Sequence, residues 1–266
     1  MRENIITLPN CYRCGKQPCE CEDGITLYHG DNRDVLPLLP KVDLVLTDPP
    51  YGQTSLRWDQ WVGGWLAAVA PLILPSGSLW CYGSLRMFME HAAEFSDWKL
   101  AQDIVWEKQN GTNLHADRFR RVHEQLAHFY RGQWAEVYKC VQTTPDAVAK
   151  AVRRKTKPIH IGRISEGHYV SRDGGPRIMR SVRQVRNCHG CARHPTEKPS
   201  ALIGPVIEYS SPPGAVVLVP FAGSGSELAA ARALGRKAIG IEIEEQYCKI
   251  AAERLRQGVL FSADID

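Results

Sequence analysis

The sequence predicts an α/β protein built on a mostly parallel sheet. Short apolar runs rich in β-branched residues alternate with helical stretches. Two of those runs end in turns rich in Pro or Gly, Asp48-Pro49-Pro50-Tyr51 and Phe221-Ala222-Gly223-Ser224-Gly225. The alternation stops over 132–193, where basic residues accumulate, and resumes from Lys198.

The elements follow in order. Ile25 to Tyr28 reads as a strand, and Asp34 to Leu39 as a short helix that Pro40 stops. Val42 to Thr47 is a buried strand. Trp61 to Leu74 has a helical pattern, with Pro75-Ser76-Gly77 as its turn. Ser78 to Tyr82 reads as a strand and Leu85 to Phe95 as a helix. Ile104-Val105-Trp106 and Gln125 to Tyr130 are further strands. After the basic stretch come a helix from Ala201 to Tyr209, a strand from Ala215 to Val219 and a Gly turn. A helix from Ser226 to Leu234, a strand from Lys237 to Ile243 and a helix from Glu245 to Gln257 complete the chain. There is no internal repeat.

Composition narrows the function. No apolar run approaches the ~20 residues that span a bilayer. The N-terminus has no apolar h-region, so no signal peptide is expected. Nine cysteines in such a chain point to metal ligands or buried thiols in a reducing compartment. The net charge of +4 is mild but uneven: twelve Lys and Arg lie between 150 and 193, opposed only by Glu166 and Asp173.

Two turns carry chemistry. Two prolines directly after a strand stiffen the exit loop and hold Asp48 and Tyr51 at the strand's carboxyl end. There Asp48 and the Pro49 carbonyl can accept from a planar amino group, and Tyr51 can stack on its ring. The second unit, strand–Gly223-Ser224-Gly225–helix–strand–Glu242, is a nucleotide-binding βαβ pattern. Its glycines admit close backbone approach, and Glu242 can accept from ribose hydroxyls. Leu228 stands where a dinucleotide fingerprint wants a third glycine, and no Gly-Lys-Ser/Thr follows. A nucleoside without phosphates, such as S-adenosylmethionine, suits that loop.

From about Ile25 to Leu255, the basic stretch excepted, the chain resembles the beta group of DNA amino-methyltransferases. Gly30-Asp31 with Leu36 and Leu39, Thr47 to Gly52, Trp106-Glu107-Lys108 and Arg121 to Glu124 carry the resemblance. So do His194 to Pro199 and Phe221 to Gly225, in the family's permuted order. The resemblance implies a seven-stranded class I methyltransferase sheet, with cofactor contacts at Asp31, Asp48, Thr196, Lys198, Phe221, Gly223, Gly225 and Glu242. It implies a catalytic turn at Asp48, Pro49, Pro50 and Tyr51, with Asp before Pro-Pro-Tyr favouring adenine N6 over cytosine N4. Two positions depart from the family: Val219 replaces an Asp and Ser226 a Thr. Either Asp48 or Asp31 is then expected to anchor the cofactor's amino group, or cofactor affinity is expected to be weak.

Four segments are expected: a Cys-rich 1–23, a catalytic half over 24–131, a basic target-recognition insert over 132–193, and a cofactor-binding half over 194–266. In the insert, Arg153, Arg154 and Lys155 are candidate phosphate contacts on double-stranded DNA. Arg177, Arg180 and Arg183, three apart along a helix or extended arm, are candidate base readers. Cys11, Cys14, Cys19 and Cys21 have zinc-knuckle spacing, and Cys188-x2-Cys191 is a second metal candidate. The function that follows is methyl transfer from S-adenosylmethionine to N6 of a flipped-out adenine at a specific DNA sequence. Cytosine-N4 transfer, and DNA binding with a degenerate cofactor site, stay open as alternatives. A homodimer, a cognate restriction endonuclease and the cytoplasm of a bacterial or phage-infected cell fit the same reading.

Overall fold

The computed structural model describes residues 7–109, 117–153, 168–187 and 197–257. The first half runs β1 (Ile25–His29), α1 (Asn32–Val35), β2 (Val42–Thr47), α2 (Trp65–Val69), β3 (Ile73–Gly83) and α3 (Leu85–Glu90). It continues with β4 (Lys99–Glu107) and β5 (His123–Tyr130). Four short strands follow, β6 (Thr143–Thr144), β7 (Lys150–Arg153), β8 (His168–Ser171) and β9 (Arg177–Ile178). Then come β10 (Val182–Gln184), α4 (Ser200–Ser210), β11 (Val216–Val219), α5 (Ser226–Ala233), β12 (Lys237–Glu242) and α6 (Glu245–Arg256).

Among the described residues, eight strands form one sheet in the order β1-β12-β11-β2-β3-β5-β4-β10. All neighbours are parallel except β5, which runs antiparallel to both β3 and β4. The expected seven strands are thus joined by an eighth, β10, on the outer edge of β4.

Side chains alternate across a strand, and the alternation here divides the core in two. Leu44 and Leu46, Trp80 and Tyr82, and Val217 and Val219 face one cluster, where α4, α5 and α6 pack. Val45, Leu79, Cys81 and Leu218 face the other, with Trp65, Leu66 and Met87 from α2 and α3. A sheet covered on both faces explains why its central strands read as continuous apolar runs. No helix of the described residues is long and apolar enough to cross a membrane.

The structure corrects two expected elements. The helix expected over 61–74 is cut to Trp65–Val69 and a 3₁₀ turn, because Gly63-Gly64 delays its start and Pro71 tightens its end. Pro75-Ser76-Gly77 lies inside β3 and is not a turn. A Cβ on Gly77 would stand 2.6 Å from the Asp43 carbonyl, so glycine there lets β3 close against β2 where their register shifts.

Residues Val141–Arg180 form a second compact unit, narrower than the insert expected over 132–193. Within it β6 pairs with β9 and β7 with β8, both antiparallel. Arg154 and Lys155 lie outside the described residues, as do Thr196, Cys188 and Cys191.

Candidate active site

β2 and β11 are adjacent and parallel, so the turns that follow them open at the same end of the sheet. A cleft of about 520 Å³ lies there. Asp31, Asp48, Pro50, Lys198, Phe221, Gly223 and Glu242 all line it, which joins both sequence motifs in one site. That size suits a nucleoside-sized ligand.

Asp48 is the pivot of the turn after β2. Its Oδ1 accepts from the Tyr51 hydroxyl at 2.6 Å, and its Oδ2 pairs with Lys198 Nζ at 2.7 Å. Lys198 also stands 3.3 Å from Glu124 Oε2, and Lys108 pairs with the other Glu124 oxygen. The result is an alternating chain of charges: Asp48, Lys198, Glu124, Lys108. Burial raises the Asp48 pKa, with Lys198 pulling the other way. Burial also opposes the charge of Glu124, but Lys198 and Lys108 outweigh it and hold the carboxyl at about 2. Lys198 is driven the same way: burial disfavours its charge, yet Asp48 and Glu124 raise its pKa above the usual lysine value.

The loop after Tyr51 is anchored by Asp59. Its carboxylate accepts backbone N–H bonds from Tyr51, Gly52, Gln53 and Thr54 at 2.7, 2.9, 3.0 and 2.7 Å. Gln53 then donates to Ser84 Oγ at 2.7 Å, at the N-cap of α3.

At the second motif, Gly223 and Gly225 take left-handed φ of 49° and 76°. A Cβ on Gly225 would meet the Ala251 Cβ at 2.9 Å, so the loop packs tightly on α6. Glu242 Oε2 accepts from Gly223 N at 2.7 Å and Oε1 from Glu244 N at 2.8 Å. Each oxygen keeps a further acceptor site for a hydroxyl. Phe221 meets Trp65 edge-on at 5.7 Å, and Trp58 meets Tyr247 edge-on at 6.4 Å beside it.

A DNA methylase family model matches residues 42–253. That span holds both motifs and most of the chain. The chain belongs to the DNA methylase family. It is 26% identical over 262 residues to the type II methyltransferase M.HinfI of Haemophilus influenzae, covering 87% of this chain and 68% of that protein. Among solved structures it is similar to the M1.HpyAVI–SAM complex, at 26% identity and a TM-score of 0.60 over 88% of this chain and 100% of the other. The cytosine-N4-specific PvuII DNA methyltransferase shares the fold, at a TM-score of 0.63 and 17% identity over 91% and 88% of the two chains.

The DNA methylase is thus an S-adenosylmethionine-dependent enzyme acting on exocyclic amines, N6 or N4. Its cleft fits a cationic nucleoside: Asp31, Asp48, Glu227, Glu242 and Glu244 line it, while Lys198 is engaged by Asp48 and Glu124. Val219 is fully buried in the apolar core and does not line the cleft. Asp31, expected as one substitute for the family's Asp there, is engaged by Arg33 in an ion pair of 2.5 Å.

Sequence reasoning missed Glu227 altogether. It is buried at the cleft wall, and burial together with the Asp48 charge lifts its carboxyl to about 7. It also missed the roles of Lys108, Glu124 and Asp59. Lys108 and Glu124 stand in the quoted Trp106-Glu107-Lys108 and Arg121 to Glu124 blocks, and the pairing of Trp106 with Glu124 across β4 and β5 brings them together. Asp59 had no local signal. The expected base readers separate. Arg177 sits in β9 beside Asp146 at 3.3 Å, whereas Arg183 sits half-buried in β10 of the main sheet, opposite Trp106. Both are in extended strands, so the helical alternative is excluded.

Proposed function

We propose that the protein methylates N6 of adenine flipped out of double-stranded DNA at a specific site. The observation that carries this reading is the Asp48-Pro49-Pro50-Tyr51 turn, fixed by Lys198 and opening into the cleft that the Gly223–Glu242 loop also lines.

S-adenosylmethionine, when bound, supplies an electrophilic methyl group on a sulfonium. Every other part is played by side chains and backbone of the chain. An exocyclic amine is a poor nucleophile because its lone pair is delocalised into the ring. Asp48 and the Pro49 carbonyl accept its N–H bonds and favour a pyramidal nitrogen, so catalysis is by orientation and fixed charge. Burial raises the Asp48 pKa, and Lys198 pulls it back toward the ionised form. Tyr51 offers a ring for stacking and a hydroxyl that holds the carboxylate. Phe221 and Glu242 line the cleft, where they would hold the cofactor by ring contact and by accepting from its ribose hydroxyls. Glu227, on the wall beside Asp48, supplies the acidic partner for the cofactor's cationic end that Val219 does not.

Asp in place of Ser before Pro-Pro-Tyr supports adenine over cytosine. Nucleoside mass spectrometry of DNA from cells expressing the protein tests this. N6-methyladenine is the expected product. N4-methylcytosine in its place would overturn the base assignment, and no modified base together with no calorimetric uptake of S-adenosylmethionine would favour a DNA-binding role.

A further inference from the structure

Residues 7–24, ahead of β1, do not line the cleft, yet they are docked on β1. Cys11 is fully buried, and Cys14, Cys19 and Cys21 are half-buried around it. The four Sγ atoms all lie within 4.8 Å of one another. Cys11 and Cys21 are 4.0 Å apart, and Cys14 and Cys19 are 3.8 Å apart. Disulfides need about 2.05 Å, so neither pair is bonded. A zinc ion with four thiolates at about 2.3 Å has edges of about 3.8 Å between sulfurs. The two close pairs stand at that edge length, and all four sulfurs lie near enough to close on one ion.

The backbone around them has the form of a ligand loop. Gly15 N donates to the Cys11 carbonyl at 2.7 Å, and Cys11 N to the Lys16 carbonyl at 3.0 Å. Gly15 has a φ of +72°, which lets the chain turn back between Cys14 and Cys19. Cys21 N points at the Cys19 sulfur at 3.5 Å, the kind of N–H···S contact that steadies a thiolate ligand.

We propose that Cys11, Cys14, Cys19 and Cys21 bind one structural zinc ion, and that this knuckle seals the open edge of the main sheet. Among the described residues β1 is an edge strand, paired with β12 on one side. On its other side Tyr12 N donates to the Leu27 carbonyl at 2.7 Å. Arg13 clamps the join, with a two-pronged pair to Asp23 at 2.8 Å and a bond to the Ile25 carbonyl at 2.6 Å. Tyr12 also meets His29 edge-on at 5.9 Å, two residues before Asp31 of the cleft. An uncovered edge strand invites pairing with other chains. The segment is too short and too polar to hold this shape by apolar burial, so a cross-link has to supply the order. Four thiolates suit zinc's closed tetrahedral structural sites.

The test is elemental analysis of full-length protein expressed with zinc in the medium and purified without chelator. About one zinc per chain is expected. Replacement of the metal by cobalt should give the visible d–d bands of a tetrahedral thiolate site. Cys14→Ser should lower the zinc content, while Cys140→Ser, at an exposed thiol outside the cluster, should leave it unchanged. Chelation of the wild type should lower the melting temperature by several degrees and promote aggregation. Should Cys14→Ser fail to fold, the wild-type metal content and cobalt spectrum still decide. Zinc below roughly a tenth of an equivalent after reconstitution under reducing conditions would overturn the site. So would iron in its place, or a mass lower by about four hydrogens, which would signal two disulfides.

Discussion

Glu227 makes the wall of the cleft sensitive to pH. Its carboxyl titrates at about 7 in the folded chain, raised by burial and then by Asp48. The folded state therefore holds a proton that the unfolded chain releases near pH 4.5, so stability falls as pH rises from about 4.5 through 7. The cost above pH 7 is roughly 3 kcal/mol. Glu227→Gln should remove it, and the melting temperature of the variant should gain on wild type between about pH 5 and pH 8. A cationic cofactor beside Glu227 reverses the balance by favouring the ionised form. Wild-type affinity for S-adenosylmethionine should then rise with pH through 7 and binding should release protons, both effects being absent in Glu227→Gln. Calorimetry in two buffers of different ionisation enthalpy counts those protons. Asp48→Asn should cut turnover by roughly 10²–10³ while leaving DNA affinity within a few-fold, because Lys198 keeps Glu124 as a partner. Tyr51 has two separable contributions. Tyr51→Phe loses the bond to Asp48, about 1 kcal/mol. Tyr51→Ala should lose the stacking face as well, ~1–3 kcal/mol more in single-turnover rate.

Among the elements, the loop after β2 shows what was legible in the sequence and what was not. Val42–Thr47 and the prolines behind it are a local signal, as is the Gly223–Gly225 turn, and both stand where periodicity and turn chemistry put them. Strand edges are local too: β2 begins and ends at the residues expected. Tertiary closure is not. Gly77 reads as a turn residue, but its role is the close approach of β3 to β2. Glu124 and Lys108 become partners only because β5 returns antiparallel beside β4. Asp59 sits eight residues after Tyr51 with nothing between them to mark a bond, yet it accepts from four backbone N–H groups. Those bonds hold its pKa down against the opposing effect of burial, so the loop's anchor is kept above the normal carboxylate range and lost as pH falls through the depressed value. Asp59→Ala should free the backbone of 51–54. Amide exchange there should speed up and turnover should fall at least about tenfold, and the melting temperature should fall too, because Tyr51 packs against both core clusters. Unchanged exchange at Gly52 and Gln53 would show that other contacts hold the loop.

At the scale of the whole molecule, charge and chemistry are divided between the two compact units. Val141–Arg180 carries nine Lys and Arg against three Asp and Glu, whereas the whole chain is only +4, so the remainder is net acidic by two charges. An acidic remainder built around a cleft lined with carboxylates suits a cationic cofactor and repels phosphates. If Val141–Arg180 supplies the electrostatic attraction for DNA, affinity should drop steeply with salt. Each neutralised phosphate contributes a log–log slope of about −0.9 on duplex DNA. Replacing Arg153, Arg154 and Lys155 together with Gln should make the slope shallower by about 2–3, and S-adenosylmethionine affinity should not change, since the residues described as lining the cleft belong to the other compact unit. Arg183 belongs to the main sheet, where burial lowers its pKa. Replacing it should disturb the β4 edge as well as recognition, and melting curves would separate the two effects. A wild-type salt slope in the triple variant would move the phosphate contacts to the other exposed basic group, Arg118 and Arg120 beside the fully exposed Phe119 ahead of β5. Fluorescence anisotropy on a duplex carrying the methylated site, across a salt series, measures every one of these slopes.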